Sequence, residues 1–232
     1  MVRQQHIVSA FTEELDQLSA DILRMGGLAE AMIRDASRAV VNRDAALAEA
    51  VIERDLEMDR LERELEGKAV RMLALRQPMA SDLRNVIGAI KLAGGIERIG
   101  DLAKNIARRS LAVIDEDNRS ALRGVERMGQ AVSNNLQKAL DAYARRDAAA
   151  AILVLRQDDD IDSHYNGLLR TMLVFMAEAP DQLDARSNFL FIVKNLERIG
   201  DHATNIAKVV HFIATGERIV ARETTDKVPE QS

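Results

Sequence analysis

An eleven-residue phrase occurs twice in this chain, one hundred positions apart, and any fold assigned to the chain must accommodate the repetition. The first copy is Glu97-Arg98-Ile99-Gly100-Asp101-Leu102-Ala103-Lys104-Asn105-Ile106-Ala107. The second is Glu197-Arg198-Ile199-Gly200-Asp201-His202-Ala203-Thr204-Asn205-Ile206-Ala207. Only Leu102/His202 and Lys104/Thr204 differ. An internal repeat means that one structural unit has been built twice, so it constrains architecture before any local propensity does.

The duplication extends beyond the phrase. Met25-Gly26 recurs as Met128-Gly129, Arg43-Asp44-Ala45-Ala46 as Arg146-Asp147-Ala148-Ala149, and Asp55-x-x-Met58-Asp59 as Asp158-x-x-Ile161-Asp162. These pairs are 103 residues apart, against 100 for the phrase, so the second copy is three residues shorter in the interval that holds Pro78 and Pro180. The expected units are residues 1–115 and 116–215, with a polar tail over 216–232.

Each unit reads as three helices. In the first, apolar periodicity predicts helices over about Ile7–Val41, Ala45–Arg76 and Asp82–Ile114, with Pro78 ending the second and Ser81 capping the third. In the second unit they span about Ser120–Ala144, Asp147–Ala177 and Leu183–Ala214, and Gly216 is the expected C-cap. Asp115-Glu116-Asp117-Asn118 links the units. Val51, Met58, Leu61, Leu65 and Met72 form one narrow stripe, and Leu92, Ile96, Ile99, Ala103 and Ile106 another. Stripes near a 3.5-residue period favour long antiparallel helices packed at shallow angles. Only three prolines interrupt the chain, and no segment sustains a period of two. The fold class is therefore all-α: two tandem three-helix bundles arising from an internal duplication. Met172, Phe175, Phe189 and Phe191 are read as core.

Composition removes several function classes. Net charge is −5 with acids and bases interspersed, which argues against nucleic acid as a partner. No cysteine is present, so disulfides and thiolate metal ligation are excluded. The first residues lack the apolar core of a signal peptide. The longest apolar run, Ala148 to Leu155, is far short of the roughly 20 residues that span a bilayer. A soluble cytoplasmic protein is expected.

The repeated phrase carries an energetic oddity. On a helix Glu97 and Asp101 are neighbours, as are Glu197 and Asp201, and like charges at this spacing destabilise by roughly 0.2–0.5 kcal/mol. Gly100 and Gly200 inside the helices cost about 1 kcal/mol more relative to alanine. The preceding helices add Asp55 and Asp59, and Asp158 and Asp162, at the same spacing. Two such pairs facing one another give four carboxylates per unit. An oxygen-only set of this kind suits a hard or intermediate cation such as Mg, Mn or Fe. The glycines would admit either a close helix or the metal with its waters. The competing reading is a solvated acidic face, with Arg98 pairing Asp101 and Arg198 pairing Asp201.

Other constellations are absent. His6, His164, His202 and His211 lie outside any Glu-x-x-His pair, so the di-iron bundle pattern is missing. His202, beside Asp201, could touch a metal, but Leu102 stands at its counterpart and a surface role fits better. Gly26-Gly27 and Gly94-Gly95 allow close packing and lack the Lys-Ser/Thr of a phosphate loop. No nucleophile elbow occurs. No catalytic or cofactor-binding residue is assigned.

Two copies of Glu-Arg-Ile-Gly-Asp, the segment Arg76-Gln77-Pro78-x-x-Ser81-Asp82-Leu83-Arg84 and the early Met25-Gly26-Gly27 together resemble the PhoU family of bacterial phosphate-signalling regulators, across residues 5–215. The resemblance implies a cytoplasmic negative regulator of the phosphate-starvation response. It would link the ATPase subunit of the high-affinity phosphate ABC transporter to a sensor histidine kinase and restrain uptake when phosphate is plentiful. Homodimerisation is implied, as is reaching the membrane only through partners. So are divalent or trivalent metal ions (Fe, Mn, Mg or Zn) held by Glu/Asp-x-x-x-Asp motifs, which here are Asp55/Asp59, Glu97/Asp101, Asp158/Asp162 and Glu197/Asp201. The alternative is a carboxylate-bridged metalloenzyme on a helical bundle.

Overall fold

In the computed structural model the described residues are 2–113, 119–178 and 183–219, with the side chains of 2–10, 158–160, 175, 178 and 183–185 outside the description. Among the described residues every regular element is helical. The order is α1 (Val2–Asn42), α2 (Ala45–Arg76), α3 (Ala80–Ala112), α4 (Arg119–Arg145), α5 (Ala148–Arg156), α6 (Asp158–Glu178) and α7 (Leu183–Thr215). The expected link over 115–118, Pro180 and the tail beyond residue 219 lie outside the described residues.

The repeated Arg-Asp-Ala-Ala proves to be a helix stop and restart. Arg43 and Arg146 take left-handed backbone (φ 56° and 52°), ending α1 and α4. Asp44 and Asp147 then accept hydrogen bonds from the backbone N–H of Leu47 (3.0 Å) and Ala150 (2.9 Å). Each aspartate thus satisfies one of the donors left open at a helix start.

Ser81 does not cap α3. The helix begins at Ala80 after an extended Met79, which makes no side-chain cap, because the chain leaves α2 through a left-handed Gln77 (φ 48°) ahead of Pro78. Gly216 does close α7: with φ 81° its N–H donates to the Phe212 carbonyl at 2.8 Å.

The long helix expected over 147–177 is divided at Gln157. The first unit has Arg54-Asp55-Leu56-Glu57 at the corresponding place, and the second has Gln157-Asp158-Asp159-Asp160. Three consecutive aspartates are poor helix-interior residues but are favoured in a first turn, so the sequence restarts a helix there.

Both apolar stripes are buried as predicted, and Met172 and Phe189 are fully enclosed. Phe191 is not core. It is 47% exposed, and the Arg109 guanidinium lies over its ring at 4.2 Å. The helix turn that would bury it is occupied by Ile192 and Val193.

Within the first unit α2 runs antiparallel to α1, in a register marked by ion pairs from Arg76 to Glu14, Lys68 to Asp21, Arg24 to Glu57 and Arg54 to Asp35. The exposed Lys68–Asp21 and Arg24–Glu57 pairs contribute little stability, about 0–1 kcal/mol each, but all four pairs disfavour other alignments. The two units pack through α1 against α4 and, most extensively, α3 against α7. One continuous hydrophobic cluster runs through both. Glycines permit this approach: Leu140 of α4 packs over Gly26, Ser37 of α1 over Gly129, and Ile206 of α7 against Gly95.

Candidate functional site

In α2 the buried positions are Ala48, Val51, Asp55, Met58, Leu61, Leu65, Ala69 and Met72. Asp55 therefore occupies a slot in the apolar stripe and is only 5% exposed. A carboxylate so placed requires a partner, because an unpaired buried charge is strongly destabilising. The partner is Lys104, whose Nζ donates to Asp55 Oδ2 at 2.5 Å and to Asp101 Oδ1 at 2.5 Å. Burial pulls the Lys104 ammonium toward neutrality, but hydrogen bonds to both carboxylates outweigh it and hold the group above the ordinary lysine range. Asp101 thus pairs with Lys104. Arg98, expected to reach it, projects outward and lies 3.7 Å from Glu97 instead.

The other end of the helix pair is crowded with acid. Burial, together with Asp101, Glu62 and Asp59, pushes the Glu97 carboxyl up to about 7, with Arg98 offsetting part of the rise. Glu62 is raised too, by burial first and then by Glu66 and Asp59. The structure therefore brings together all four carboxylates expected in the first unit and adds Glu62, which sequence reasoning overlooked, and Lys104, visible in the sequence only as a difference between the two copies. The signal for both was available: Glu62 lies three residues beyond Asp59, and Lys104 three beyond Asp101.

The second unit is built differently. Glu62 corresponds to Tyr165, Gly94 to Lys194 and Lys104 to Thr204. Lys194 Nζ approaches from the opposite end, 2.7 Å from Glu197 Oε1 and 5.2 Å from the centre of the Tyr165 ring, with its side chain 47% exposed. In the first unit Gly94 lies beside Glu62, whose Oε1 would be in ordinary contact, 3.7 Å, with a Cβ there. Among the described residues an ammonium thus meets the acids of each unit from opposite ends, Lys104 in the first and Lys194 in the second.

Glu197 Oε2 is buried and has no hydrogen-bond partner. Asp162 and Asp201 are exposed, and the Asp158 side chain lies outside the description. Among the described residues no group of three or more carboxylate or imidazole side chains is disposed to hold a metal ion. A cation therefore fits the two units unequally. In the first, the gap between Asp55 and Asp101 already contains an ammonium, whereas in the second an orphaned carboxylate oxygen faces inward.

Gly100 and Gly200 are explained by packing. Both are buried, and a Cβ on either would lie 3.1 Å from a side chain of the facing helix, Met58 in one unit and Ile161 in the other. The glycine serves helix approach, the first of the two options its presence offered. His202 is half-buried, and its imidazole is held below the usual histidine range by burial and by the nearby Arg198 and Arg98. A groove of about 560 Å³ between α1 and α2 is lined by residues such as Glu14, Lys68, Arg71 and Met72 and by none of the eight carboxylates.

A duplicated helical scaffold with carboxylate-bearing helix pairs in both units defines the class. The chain belongs to the PhoU family: the PhoU domain matches residues 22–110 and again 125–210. It is 46% identical over 219 residues to a phosphate-specific transport system accessory protein PhoU homolog of Caulobacter vibrioides, covering 94% of this chain and 95% of the relative. The Rhizobium meliloti homolog is also 46% identical, with 91% and 90% covered. Among solved structures, PhoU from Pseudomonas aeruginosa is similar with a TM-score of 0.85 and 38% identity, covering 89% of this chain and all of that one. The phosphate transport system regulatory protein PhoU from Streptococcus pneumoniae gives 0.83 at 28% identity, covering 90% and 99%.

Proposed function

We propose that this chain is a cytoplasmic negative regulator of the phosphate-starvation response. It acts as an adaptor between the ATPase subunit of the phosphate ABC transporter and a sensor histidine kinase, and restrains uptake when phosphate is plentiful. The observation that carries this reading is the nearly end-to-end match to accessory proteins of phosphate-specific transport systems. A non-enzymatic role agrees with those names. No described helix is long and apolar enough to cross a membrane, so contact with the transporter would be peripheral and made through partners.

An adaptor transmits state by binding one partner better in one condition than in another. The long helices and continuous core suit that task, because a well-packed scaffold carries a displacement at one face across to another. A divalent or trivalent ion (Fe, Mn, Mg or Zn) would brace a helix pair by neutralising its acids, and homodimerisation would present the surface twice. The second unit's acids, Asp158, Asp162, Glu197 and Asp201, are the proposed ion-facing set. The orphaned Glu197 Oε2 supports that placement.

The test is recovery of partners by the tagged, full-length chain from cells grown with abundant or limiting phosphate. The transporter ATPase subunit and the sensor kinase should both be captured, in a ratio that changes with phosphate. Capture of neither in both conditions would rule the adaptor reading out.

A further inference from the structure

The two units have diverged at one decisive position, and we infer that Lys104 is the built-in cation of the first unit, occupying by side chain the place that an added ion would take. The inference rests on the reading that these helix pairs gather carboxylates around a positive charge, and it assigns the two units different sources of that charge.

The geometry is that of a bound ion. Lys104 Nζ contacts one oxygen from each helix, Asp55 on α2 and Asp101 on α3, each at 2.5 Å, so it ties the pair together as a bridging cation would. The lysine side chain is 15% exposed and that of Asp55 8%. An ammonium held this deeply between two carboxylates is costly to displace, since its removal leaves Asp55 buried and unpaired. A divalent ion entering between Asp55 and Asp101 would first have to displace this ammonium.

Thr204 at the corresponding position carries no charge. Lys194, 47% exposed, pairs with Glu197 Oε1 and lies over the Tyr165 ring, while Glu197 Oε2 is buried without a hydrogen-bond partner. Between Asp55 and Asp101 the first unit thus already holds a positive charge, whereas in the second a buried oxygen of Glu197 makes no hydrogen bond. The remaining acids of the first unit, Asp59, Glu62 and Glu97, crowd the opposite end, where Arg98 only partly compensates them. They keep the surroundings of the ammonium strongly negative.

The experiment uses the full-length protein stripped with chelator and titrated with Mn²⁺, with binding followed by calorimetry and Tm by scanning. The second unit is silenced by Glu197→Gln with Asp201→Asn. In that background Lys104 should leave no Mn²⁺ binding in the micromolar range. Adding Lys104→Thr should lower the metal-free Tm by several degrees, create one Mn²⁺ site at least about tenfold tighter, and let Mn²⁺ restore the lost Tm. Lys104→Arg should keep a cation and gain no site. If Lys104→Thr fails to fold without metal, recovery on adding Mn²⁺ counts in favour, and failure to recover counts against.

Equal Mn²⁺ affinity with and without Lys104 would overturn the inference, as would a metal-free Tm indifferent to Lys104→Thr. The metal reading of the second unit fails separately, if the wild-type chain and the Glu197→Gln/Asp201→Asn variant bind Mn²⁺ alike.

Discussion

Gly100 on α3 lies directly against Met58 on α2, close enough that a Cβ would come within 3.1 Å of Met58 Cγ. Met58 stands between Asp55 and Asp59 in sequence, so the same close approach that packs the helices brings their acids face to face. The second unit repeats the arrangement with Gly200 against Ile161, and Val132 lies close as well. The residue that yields differs, and so should the response to a methyl group. Methionine adapts its shape readily, whereas a β-branched isoleucine does not. Gly100→Ala should be near neutral, its helix propensity gain of about 1 kcal/mol offsetting the crowding. Gly200→Ala should destabilise, on the order of 1–2 kcal/mol, by overpacking. Urea denaturation of the two variants decides between equal and unequal effects.

Gly129 packs against Ser37 of α1, where an added Cβ would lie 2.8 Å from Ser37 Cβ, an atom fixed to its backbone. Gly129→Ala must therefore push α1 and α4 apart and should cost about 1–3 kcal/mol or more. Gly27, with nothing within 4 Å of its Cβ position, is the control. Gly27→Ala should stabilise by roughly 0.5–1 kcal/mol. Opposite shifts in thermal midpoint are expected.

Glu97 makes stability depend on pH in a defined direction. Its carboxyl titrates at about 7 in the folded chain against 4.5 for an ordinary glutamate, so the folded state holds the extra proton between those values. The stability that this proton confers is fully present below pH 4.5 and is lost as pH rises through 7. In chelator-treated protein Glu97→Gln should flatten the pH profile over that window and exceed wild type in Tm at pH 8. A Tm difference that does not change between pH 5 and 8 would show that the carboxyl is not raised.

The aspartate caps of the repeated turn are expected to contribute alike. Asp44→Ala and Asp147→Ala should each cost about 1 kcal/mol, read from denaturant midpoints. A much larger loss at Asp147 would mean that the break at Gln157 makes the second unit depend more on its cap.

Much of this architecture could be read from sequence because the repeat and the apolar stripes are local, periodic signals. Met58 and Leu65, or Ile96 and Ile99, are buried where a 3.5-residue period places them. The interruption at Gln157 was not legible in the same way, since periodicity continues across it and only the run of aspartates marks a restart. Ser81 resembles a cap by residue type, but after the left-handed Gln77 the helix starts two residues earlier, at Ala80. Phe191 was read as core from apolarity alone, although its neighbours Ile192 and Val193 already fill that face.

Of the site, the facing of Asp55 and Asp59 onto Glu97 and Asp101 followed from spacing. What spacing could not show was that Asp55 takes an apolar slot, or that Lys104 folds back into the pair. The direction of a long side chain depends on charges contributed by another helix. The Lys104/Thr204 difference was visible in the alignment of the two copies, but its meaning required the distance from Nζ to both carboxylates.

We propose that this member of the PhoU family restrains the phosphate-starvation response. Deleting its gene and assaying starvation-induced phosphatase activity in phosphate-rich medium tests it most directly. The expected result is high, constitutive activity that a wild-type copy returns to the repressed level. Repression as complete as in the undeleted strain would contradict it.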